Sequence, residues 1–364
     1  MVFASVVSFF KYFLNQLDAE NYYSRDFSVV FLSLSTVGVV SPLFPLLQNL
    51  VCHGKRVPVI RDQQQRDKDA KAGTFTFFSV PKSLFVHMYA VGILIGAVCL
   101  LRTAIVAEEK QRSSVSNVYL SSVSIQGTLM FEIHCMRRFL ECLYITSYGS
   151  SSMNVAVYVF GIFHYLVTPS CIYYSLLHHD HQNSNDQNTA LRIFLRLFSL
   201  LLYTIGNTSQ FRCHQILFNL KRSSEVSCAM DSTDRKSNGV ATCSPHESRL
   251  KFVGSDDKSK SATKNTGCAP SDPLNADNAV KSVYSFPVGF GFDSVACPHY
   301  TAEILIYISF FMLSPSSVPL LSMLVWVVTN LSVVADSQYE WYKENFPTEM
   351  NLKKGWKRLI PGVW

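Results

Sequence analysis

Long apolar stretches separated by short polar segments run along most of this 364-residue chain. Several approach the roughly 20 apolar residues that an α-helix needs to cross the hydrocarbon core of a bilayer. The sixth stretch is short, so we expect it to be tilted or extended by the segment that precedes it. The pattern therefore predicts seven spans: Phe27–Val51, Lys82–Arg102, Val118–Tyr144, Met153–Leu177, Ala190–Thr208, Tyr300–Leu313 and Val318–Ala335.

The basic residues between these stretches predict an orientation, because Lys and Arg accumulate in cytosolic loops. With seven spans, the loop after the first span and the C-terminal tail fall on the same side. Both are basic, and together they hold Lys55, Arg56, Arg61, Arg66, Lys68, Lys71, Lys343, Lys353, Lys354, Lys357 and Arg358. The opposite loops hold only Lys110 and Arg112. We therefore expect a lumenal N-terminus and a cytosolic C-terminus.

Composition divides the chain into three parts. Residues 1–222 hold spans one to five, and residues 279–364 hold spans six and seven with the tail. Between them, residues 223–278 are rich in Ser, Asp, Lys, Asn and Thr and nearly lack aromatic residues. Such a segment cannot bury enough apolar surface to offset its ordering entropy, so we expect a disordered polar insertion on the cytosolic side.

Charge and cysteine usage exclude several classes of protein. The net charge is +6, but the basic residues lie between apolar stretches and form no stripe with interleaved aromatics, so we expect no nucleic-acid partner. The ten cysteines include no Cys-x-x-Cys pair, which argues against a structural zinc site and a disulfide framework. His178-His179-Asp180-His181 is a single histidine cluster, which fits a solvated loop better than a metal site. We expect no metal.

Charged residues inside the predicted third span are costly in a membrane and indicate a functional site. His134, Arg138 and Glu141 are spaced to share one helical face. From the residues alone, two interpretations remain open: internal ion pairs that hold helices together, or a polar cavity for an anionic ligand. The same span also carries Glu132 and Arg137.

Two further helix faces carry polar pairs. His214 and Lys221 lie seven residues apart at the end of the fifth span, and His299 and Glu303 lie four apart at the start of the sixth. The sequence contains no Gly-x-Gly-x-x-Gly motif, and Gly289-Phe-Gly291 is too short to indicate a dinucleotide-binding turn. Any nucleotide is therefore expected to bind among the helices.

Six short segments, in order, resemble the polyprenol reductase branch of the steroid 5α-reductase family. They are Gly54-Lys55, Val80-Pro-Lys-Ser-Leu-Phe-Val-His87-Met-Tyr89, His134-Cys-Met-Arg-Arg138-Phe-Leu-Glu141, Cys213-His214-Gln-Ile-Leu-Phe-Asn-Leu-Lys221, Phe286-Pro287-Val-Gly289 with Cys297-Pro-His299-Tyr300-Thr-Ala-Glu303, and Arg358-Leu-Ile-Pro361-Gly-Val-Trp364. The chain departs from the family in the insertion, in Lys221 where Arg is usual, and in Tyr339 where His is usual.

The resemblance implies an all-α integral membrane reductase of about seven transmembrane helices, with a cavity for cofactor and lipid inside the bundle. The implied cofactor is NADPH, and the implied substrate is a polyisoprenoid lipid whose α-isoprene double bond is reduced on the route to dolichol, in the endoplasmic reticulum membrane. The residues implied for the cofactor are Arg138, His214, Lys221, His299, Glu303 and Tyr342. Those implied for the substrate's polar head are His87, Tyr89 and His134. Open alternatives are a 3-oxo-Δ4-steroid 5α-reductase and an inactive lipid-binding relative.

Overall fold

A computed structural model describes the backbone of residues 23–40, 79–112, 121–146, 148, 151–182, 189–237, 285–353 and 355–362. Within these ranges the side chains of residues 23–25, 37–40, 106–112, 121–122, 178–182 and 224–237 are not described. The basic loop at residues 55–71, the segment Gly54-Lys55 and the side chains of His178–His181 therefore lie outside the described part.

Seven long helices account for most of the described residues. They are α1 (Tyr23–Val40), α2 (Phe85–Arg112), α3 (Ser121–Leu140), α4 (Val155–Gln182), α5 (Thr189–Ser237), α6 (Pro298–Leu313) and α7 (Val318–Asn345), followed by the short α8 (Pro347–Leu352). A π-helical turn, Glu141–Ile145, continues α3, and 3₁₀ turns occupy Lys82–Leu84 and Phe290–Asp293. The strands β1 (Ser79–Pro81) and β2 (Ser152–Asn154) pair antiparallel.

Each predicted span overlaps one long helix, and the prediction of a helical membrane protein is confirmed. Four of the described helical stretches are long and apolar enough to cross a membrane: Lys82–Ile105, Val155–Leu177, Thr189–Ser223 and Val318–Asn345. In α1 the described apolar stretch is the shorter Asp26–Thr36. The count of seven crossings therefore stays a prediction.

Two helices differ in extent from the predicted spans. Helix α1 begins at Tyr23 and ends at Val40, whereas residues 41–51 of the predicted first span lie outside the described residues. Helix α5 extends beyond the predicted span end at Thr208, through His214 and Lys221, to Ser237, so residues 223–237 of the segment expected to be disordered are helical. Since no Gly or Pro occurs between Gly206 and Gly239, nothing in the local sequence breaks the helix. Residues 238–278 lie outside the described part.

The chain forms two compact units, residues 1–218 with 286–364, and residues 219–285. In the first unit, α1 packs on α7, and α2, α3 and α4 pack on one another. Their shared core includes Phe31, Phe131, Ile172, Tyr307 and Phe310, all fully buried. This core lies between the helices and holds their polar faces at fixed positions.

Close contact with α6 sets the position of α5. A Cβ atom at Gly206 would lie 2.9 Å from the carbonyl oxygen of Ala302, which is closer than real Cβ atoms approach a backbone. The hydroxyl of Ser199 donates a hydrogen bond of 2.7 Å to the carbonyl oxygen of Ser309. Only glycine allows the two backbones to approach so closely, and the approach brings the next turn of α5 against the second turn of α6.

The C-terminal segment returns to the start of α6. Val295 pairs with Lys357 in a parallel bridge, and Thr301 donates a hydrogen bond of 2.6 Å to the carbonyl oxygen of Leu359. A second buried cluster forms around this contact, which we call the C-terminal aromatic cluster. It contains Ala296, Cys297, Ala335, Tyr342, Phe346, Trp356 and Leu359, with Phe286, Tyr300, Ile304, Tyr339, Trp341 and Met350 packed against it.

Candidate active site

A buried carboxylate, Glu141, lies at the centre of the candidate site, with 2% of its side chain exposed. It is the first residue of the π-helical turn after α3, an irregularity that often marks functional positions. Arg137 and Arg138 both donate short hydrogen bonds to its two oxygens. Nδ1 of His214, from α5, lies 2.7 Å from Glu141 Oε2. One carboxylate therefore organises two guanidinium groups and an imidazole.

Arg138 connects this carboxylate to α2. Its Nε and Nη2 atoms donate hydrogen bonds of 3.1 and 3.0 Å to the hydroxyl of Tyr89, and its guanidinium carbon lies 5.2 Å from the centre of the same ring. The Tyr89 ring in turn meets the edge of Tyr165, from α4, with centroids 4.9 Å apart. Tyr89 is thus held in one orientation by the guanidinium group of Arg138 on one side and by the Tyr165 ring on the other.

A second carboxylate, Glu303, lies in the second turn of α6. Gln210, from α5, donates a short hydrogen bond to Glu303 Oε2, and Nε2 of His134 lies 3.5 Å from Glu303 Oε1. That nitrogen is buried and has no hydrogen-bond partner among the described residues. Nδ1 of His134 lies 3.2 Å from Asn207 Oδ1, which also accepts a hydrogen bond of 3.0 Å from Arg137 Nε.

These contacts form one continuous set, which we call the polar network. Its members come from α2, α3 with its π-helical turn, α5 and α6: Tyr89, His134, Arg137, Arg138, Glu141, Asn207, Gln210, His214 and Glu303. Two arginines balance two glutamates, so its formal charge is zero when the imidazoles are neutral. The network therefore suits an uncharged polar group with hydrogen-bond donors and acceptors at least as well as an anion.

The structure separates the remaining predicted site residues. His299 lies beside the network, with its ring centroid 5.8 Å from that of His214 and 4.1 Å from that of Tyr300. Tyr342 is buried in the C-terminal aromatic cluster, where its ring centroid lies 5.5 Å from that of Phe286. These positions do not test a cofactor role, which stays a prediction for both residues.

His87 and Lys221 lie elsewhere. His87 is exposed near the start of α2, where its Nδ1 lies 2.9 Å from the hydroxyl of Tyr158. Lys221 belongs to the second unit, residues 219–285, so the geometry of the first unit leaves its predicted role untested. Tyr339, which stands where the family usually has His, packs against Arg358. The guanidinium carbon of Arg358 lies 4.6 Å from the centre of the tyrosine ring.

Several polar residues that the structure brings to this region were not predicted from the sequence patterns. Asn207 and Gln210 precede His214 by seven and four residues, so the helical spacing of the three would have indicated one face of α5. His164 lies in the apolar sequence of α4 and has its Nε2 2.9 Å from the hydroxyl of Tyr307. A histidine inside an apolar span is itself a signal of function, which would have pointed to it.

A groove of about 450 Å³ borders the polar network between α3 and α5. Its walls are apolar and partly exposed, whereas two members of the network reach it. It is lined by Ile133, Met136, Arg137, Leu140, Glu141, Tyr144, Ile145 and Phe211. The groove is therefore an almost wholly apolar surface that borders Arg137 and Glu141 of the network.

The turn that leads into α6 is fixed by Asp293. Gly289, with a φ of 87°, donates its backbone N–H to Asp293 Oδ1 at 3.1 Å, and this bond lowers the pKa of that carboxyl below its ordinary value. Lys353 lowers the pKa further through its ammonium group, 3.1 Å away. Because Lys353 and Trp356 also donate to the carbonyl oxygen of Phe292, the turn and the C-terminal segment are held together.

Comparison with known proteins agrees with the six family-like segments of the sequence. The family described as 3-oxo-5-alpha-steroid 4-dehydrogenase matches residues 273–364, which include α6, α7 and the C-terminal aromatic cluster. A polyprenal reductase of Caenorhabditis elegans is 23% identical, over 92% of this chain and 96% of its own length. The C-terminal quarter of the chain is thus similar to this family. The chain is also similar to a polyprenal reductase of Xenopus tropicalis, with 23% identity over 88% of this chain and 94% of the other.

Similarity extends to plant members of the family. Polyprenal reductase 2 of Oryza sativa subsp. japonica is 21% identical, over 74% of this chain and 76% of its own length. His299, Glu303 and Tyr342 lie within the part matched by the family, whereas Tyr89, Arg138 and Glu141 lie outside it. The polar network therefore joins the family's C-terminal segment to helices that precede it.

Proposed function

We propose that this protein is an NADPH-dependent polyprenal reductase of the endoplasmic reticulum membrane, acting in the synthesis of dolichol for protein N-glycosylation. The supporting observation is the junction of four helices, which place tyrosine, histidine, arginine and glutamate side chains in one buried polar network. Similarity to a polyprenal reductase over 92% of the chain supports a polyisoprenoid substrate.

The residues present fit the carboxamide and ribose of a nicotinamide nucleotide. Such groups offer both donors and acceptors, and the charge-balanced network offers both in return. The buried Nε2 of His134, without a hydrogen-bond partner among the described residues, is the kind of atom that a ligand would satisfy. Glu303, with 14% of its side chain exposed, would accept from an amide or hydroxyl, while Arg138 and His214 would flank it. When bound, the cofactor supplies a hydride.

The network would hold the reacting end of the lipid next to that cofactor. Hydride adds poorly to an isolated alkene, because nothing stabilises the carbanion that forms. A conjugated carbonyl moves the charge to oxygen, where protein donors stabilise it. The immediate substrate is therefore an α,β-unsaturated aldehyde, polyprenal, rather than polyprenol. Tyr89 and His134 are the candidate donors toward its polar head, and His87 is a candidate at the entrance to α2.

The apolar chain of the substrate has a suitable surface next to the network. Ile133, Met136, Leu140 and Tyr144 are between 44% and 78% exposed, although all are large and apolar. In a membrane such side chains face lipid without cost, and the groove beside them reaches Arg137 and Glu141. A polyisoprenoid lying in this groove would enter from the bilayer with its polar end toward the network.

A defined assay tests this function. Purified protein in detergent is given NADPH with polyprenal, polyprenol or a 3-oxo-Δ4 steroid, and both NADPH loss and the mass of the lipid product are measured. Polyprenal should gain two hydrogens with one NADPH oxidised per lipid. Reduction of the steroid alone would establish the alternative favoured by the family's description. No NADPH loss with any of the three would identify an inactive lipid-binding relative, in agreement with the departures at Lys221 and Tyr339.

A further inference from the structure

A second polar site lies beside the polar network, between α4 and α6. His164 of α4 and Tyr307 of α6 meet with Nε2 and hydroxyl oxygen 2.9 Å apart, and the hydroxyl of Thr168 lies 3.4 Å from Nδ1 of the same imidazole. Tyr307 is 1% exposed. Neither His164 nor Tyr307 belongs to the motifs that indicated the family.

This pair is continuous with the network. Tyr307 follows Glu303 by four residues, so it lies about 6 Å further along α6 on the same face. From Arg138, contacts lead through Tyr89 to Tyr165, and the Tyr165 ring lies 5.2 Å from that of His164. A ligand held by Glu303 therefore has Tyr307 one helical turn beyond it, toward the interior of the bundle.

The residues around Tyr307 are less exposed than those around His164. Phe310 meets the edge of the Tyr307 ring with centroids 5.9 Å apart, Phe131 packs against Phe310, and both phenylalanines are fully buried, whereas His164 and Tyr165 are only half-buried. The accessible side of the pair is thus the side of His164 and Tyr165. An apolar lining with one hydroxyl and one imidazole is the setting in which a hydrogen bond to a developing charge is strongest, because water does not compete.

We infer that Tyr307 is a catalytic residue that donates its hydroxyl hydrogen bond to the carbonyl oxygen of the unsaturated aldehyde, and that His164 is the positioning residue that orients this hydroxyl. The inference rests on the proposed function and names residues for the same reaction. With the proton on Nε2, His164 donates to the Tyr307 oxygen and leaves the hydroxyl hydrogen free to point at the substrate.

The reaction conserves atoms and electrons. A reduced nicotinamide nucleotide gives up a hydride and is oxidised, and a C–H bond forms at the β carbon of the aldehyde. The carbon–carbon π bond breaks, and its electron pair moves through the conjugated system to the oxygen, where Tyr307 donates. A proton from solvent then adds to the α carbon, and the carbonyl re-forms in the saturated aldehyde. The residues thus stabilise charge on one atom, the substrate oxygen.

Replacement of the hydroxyl alone tests the role of Tyr307. In Tyr307→Phe, kcat for polyprenal should fall about 10²- to 10³-fold, the usual loss when one donor to a developing oxyanion is removed. KM should change little. The matched control is Tyr203→Phe, because Tyr203 is also a buried tyrosine in the core but donates to a backbone oxygen, that of Met130, at 2.6 Å. The control should keep kcat. An unchanged kcat in Tyr307→Phe would overturn the inference.

A spectroscopic measurement separates donation from folding. A short-chain polyprenal bound with oxidised cofactor should show a lowered C=O stretching frequency in the wild-type protein and in Tyr203→Phe, and a frequency closer to the free-ligand value in Tyr307→Phe. The wild-type frequency in Tyr307→Phe would overturn the inference. If Tyr307→Phe does not fold, the same spectrum is taken in His164→Leu, which should lose part of the shift.

Conservative replacement tests His164. Gln places an amide N–H near the position of Nε2, so His164→Gln should keep much of kcat and the lowered C=O frequency, whereas His164→Leu should lose much of kcat and part of the frequency shift. Equal values in the two variants would remove His164 from its positioning role. Failure of wild-type protein to reduce polyprenal would instead refute the proposed function, so the two ideas fail in distinguishable ways.

Discussion

Replacing Glu141 with glutamine should destabilise the protein more than any other neutralisation in the polar network. Glu141 is 2% exposed and is the acceptor for Arg137 and Arg138, which are 18% and 17% exposed. Glutamine has nearly the same shape but no charge, and its NH₂ group would face guanidinium donors. Removal of one partner of a buried ion pair costs about 3–5 kcal/mol, since the other charge is left uncompensated.

Buried cysteines provide the assay. Cys99, Cys135, Cys142, Cys171, Cys213 and Cys297 are free and buried, so a maleimide dye should react with them only as the bundle opens. Heating purified protein with the dye gives a midpoint temperature for each variant. A loss of 3–5 kcal/mol should lower that midpoint on the order of 10 °C.

The control is Glu340→Gln. Glu340 is 29% exposed and pairs with Arg358 at 3.2 Å, and an exposed pair of this kind contributes about 0–1 kcal/mol. A combined Arg138→Met, Glu141→Met variant should recover part of the lost stability, because it removes one charge of each sign and leaves one arginine and one glutamate in the network. If Glu141→Gln melts at the temperature of Glu340→Gln, the buried carboxylate does not organise the network.

Three other predictions concern the cofactor, the polar segment and the topology. Glu303→Gln should raise the NADPH KM roughly ten- to a hundred-fold in folded protein, since a hydrogen bond to a charged group contributes about 1.5–3 kcal/mol; an unchanged KM would remove Glu303 from the cofactor site. Deletion of most of residues 238–278 should leave activity largely intact, and loss of membrane expression at matched transcript level would contradict this. A tag after residue 364 should be digested by protease added to sealed microsomes, whereas its protection would reverse the predicted orientation.

The sequence alone was sufficient to predict where the long helices lie. Apolar stretches near 20 residues favour membrane helices because unpaired backbone groups are costly in lipid, and all seven predicted spans overlap described helices. The end of α5 was predicted too early, since polarity was taken as the end of the helix although no residue before Gly239 breaks it. Polar composition excludes burial, but it does not exclude helical backbone.

Local spacing also placed His134, Arg138 and Glu141 on one face, because the geometry of a single helix determines which of its residues are neighbours. It could not show which helices face each other. Gly206 allows α5 to approach α6 within backbone contact, and this approach brings Gln210 to Glu303. Residues that are 93 positions apart along the chain then share a hydrogen bond.

Only the tertiary structure shows which buried residues belong to the polar network and which belong to the C-terminal aromatic cluster. Tyr342 and Tyr89 are both buried tyrosines, yet one packs among aromatic rings and the other binds a guanidinium group. His164 and Tyr307 are 143 residues apart and meet only because α4 and α6 contribute to one core. Helical periodicity reports what lies within a few turns, whereas partners across a bundle depend on how whole helices pack, and packing is a property of the complete set of side chains.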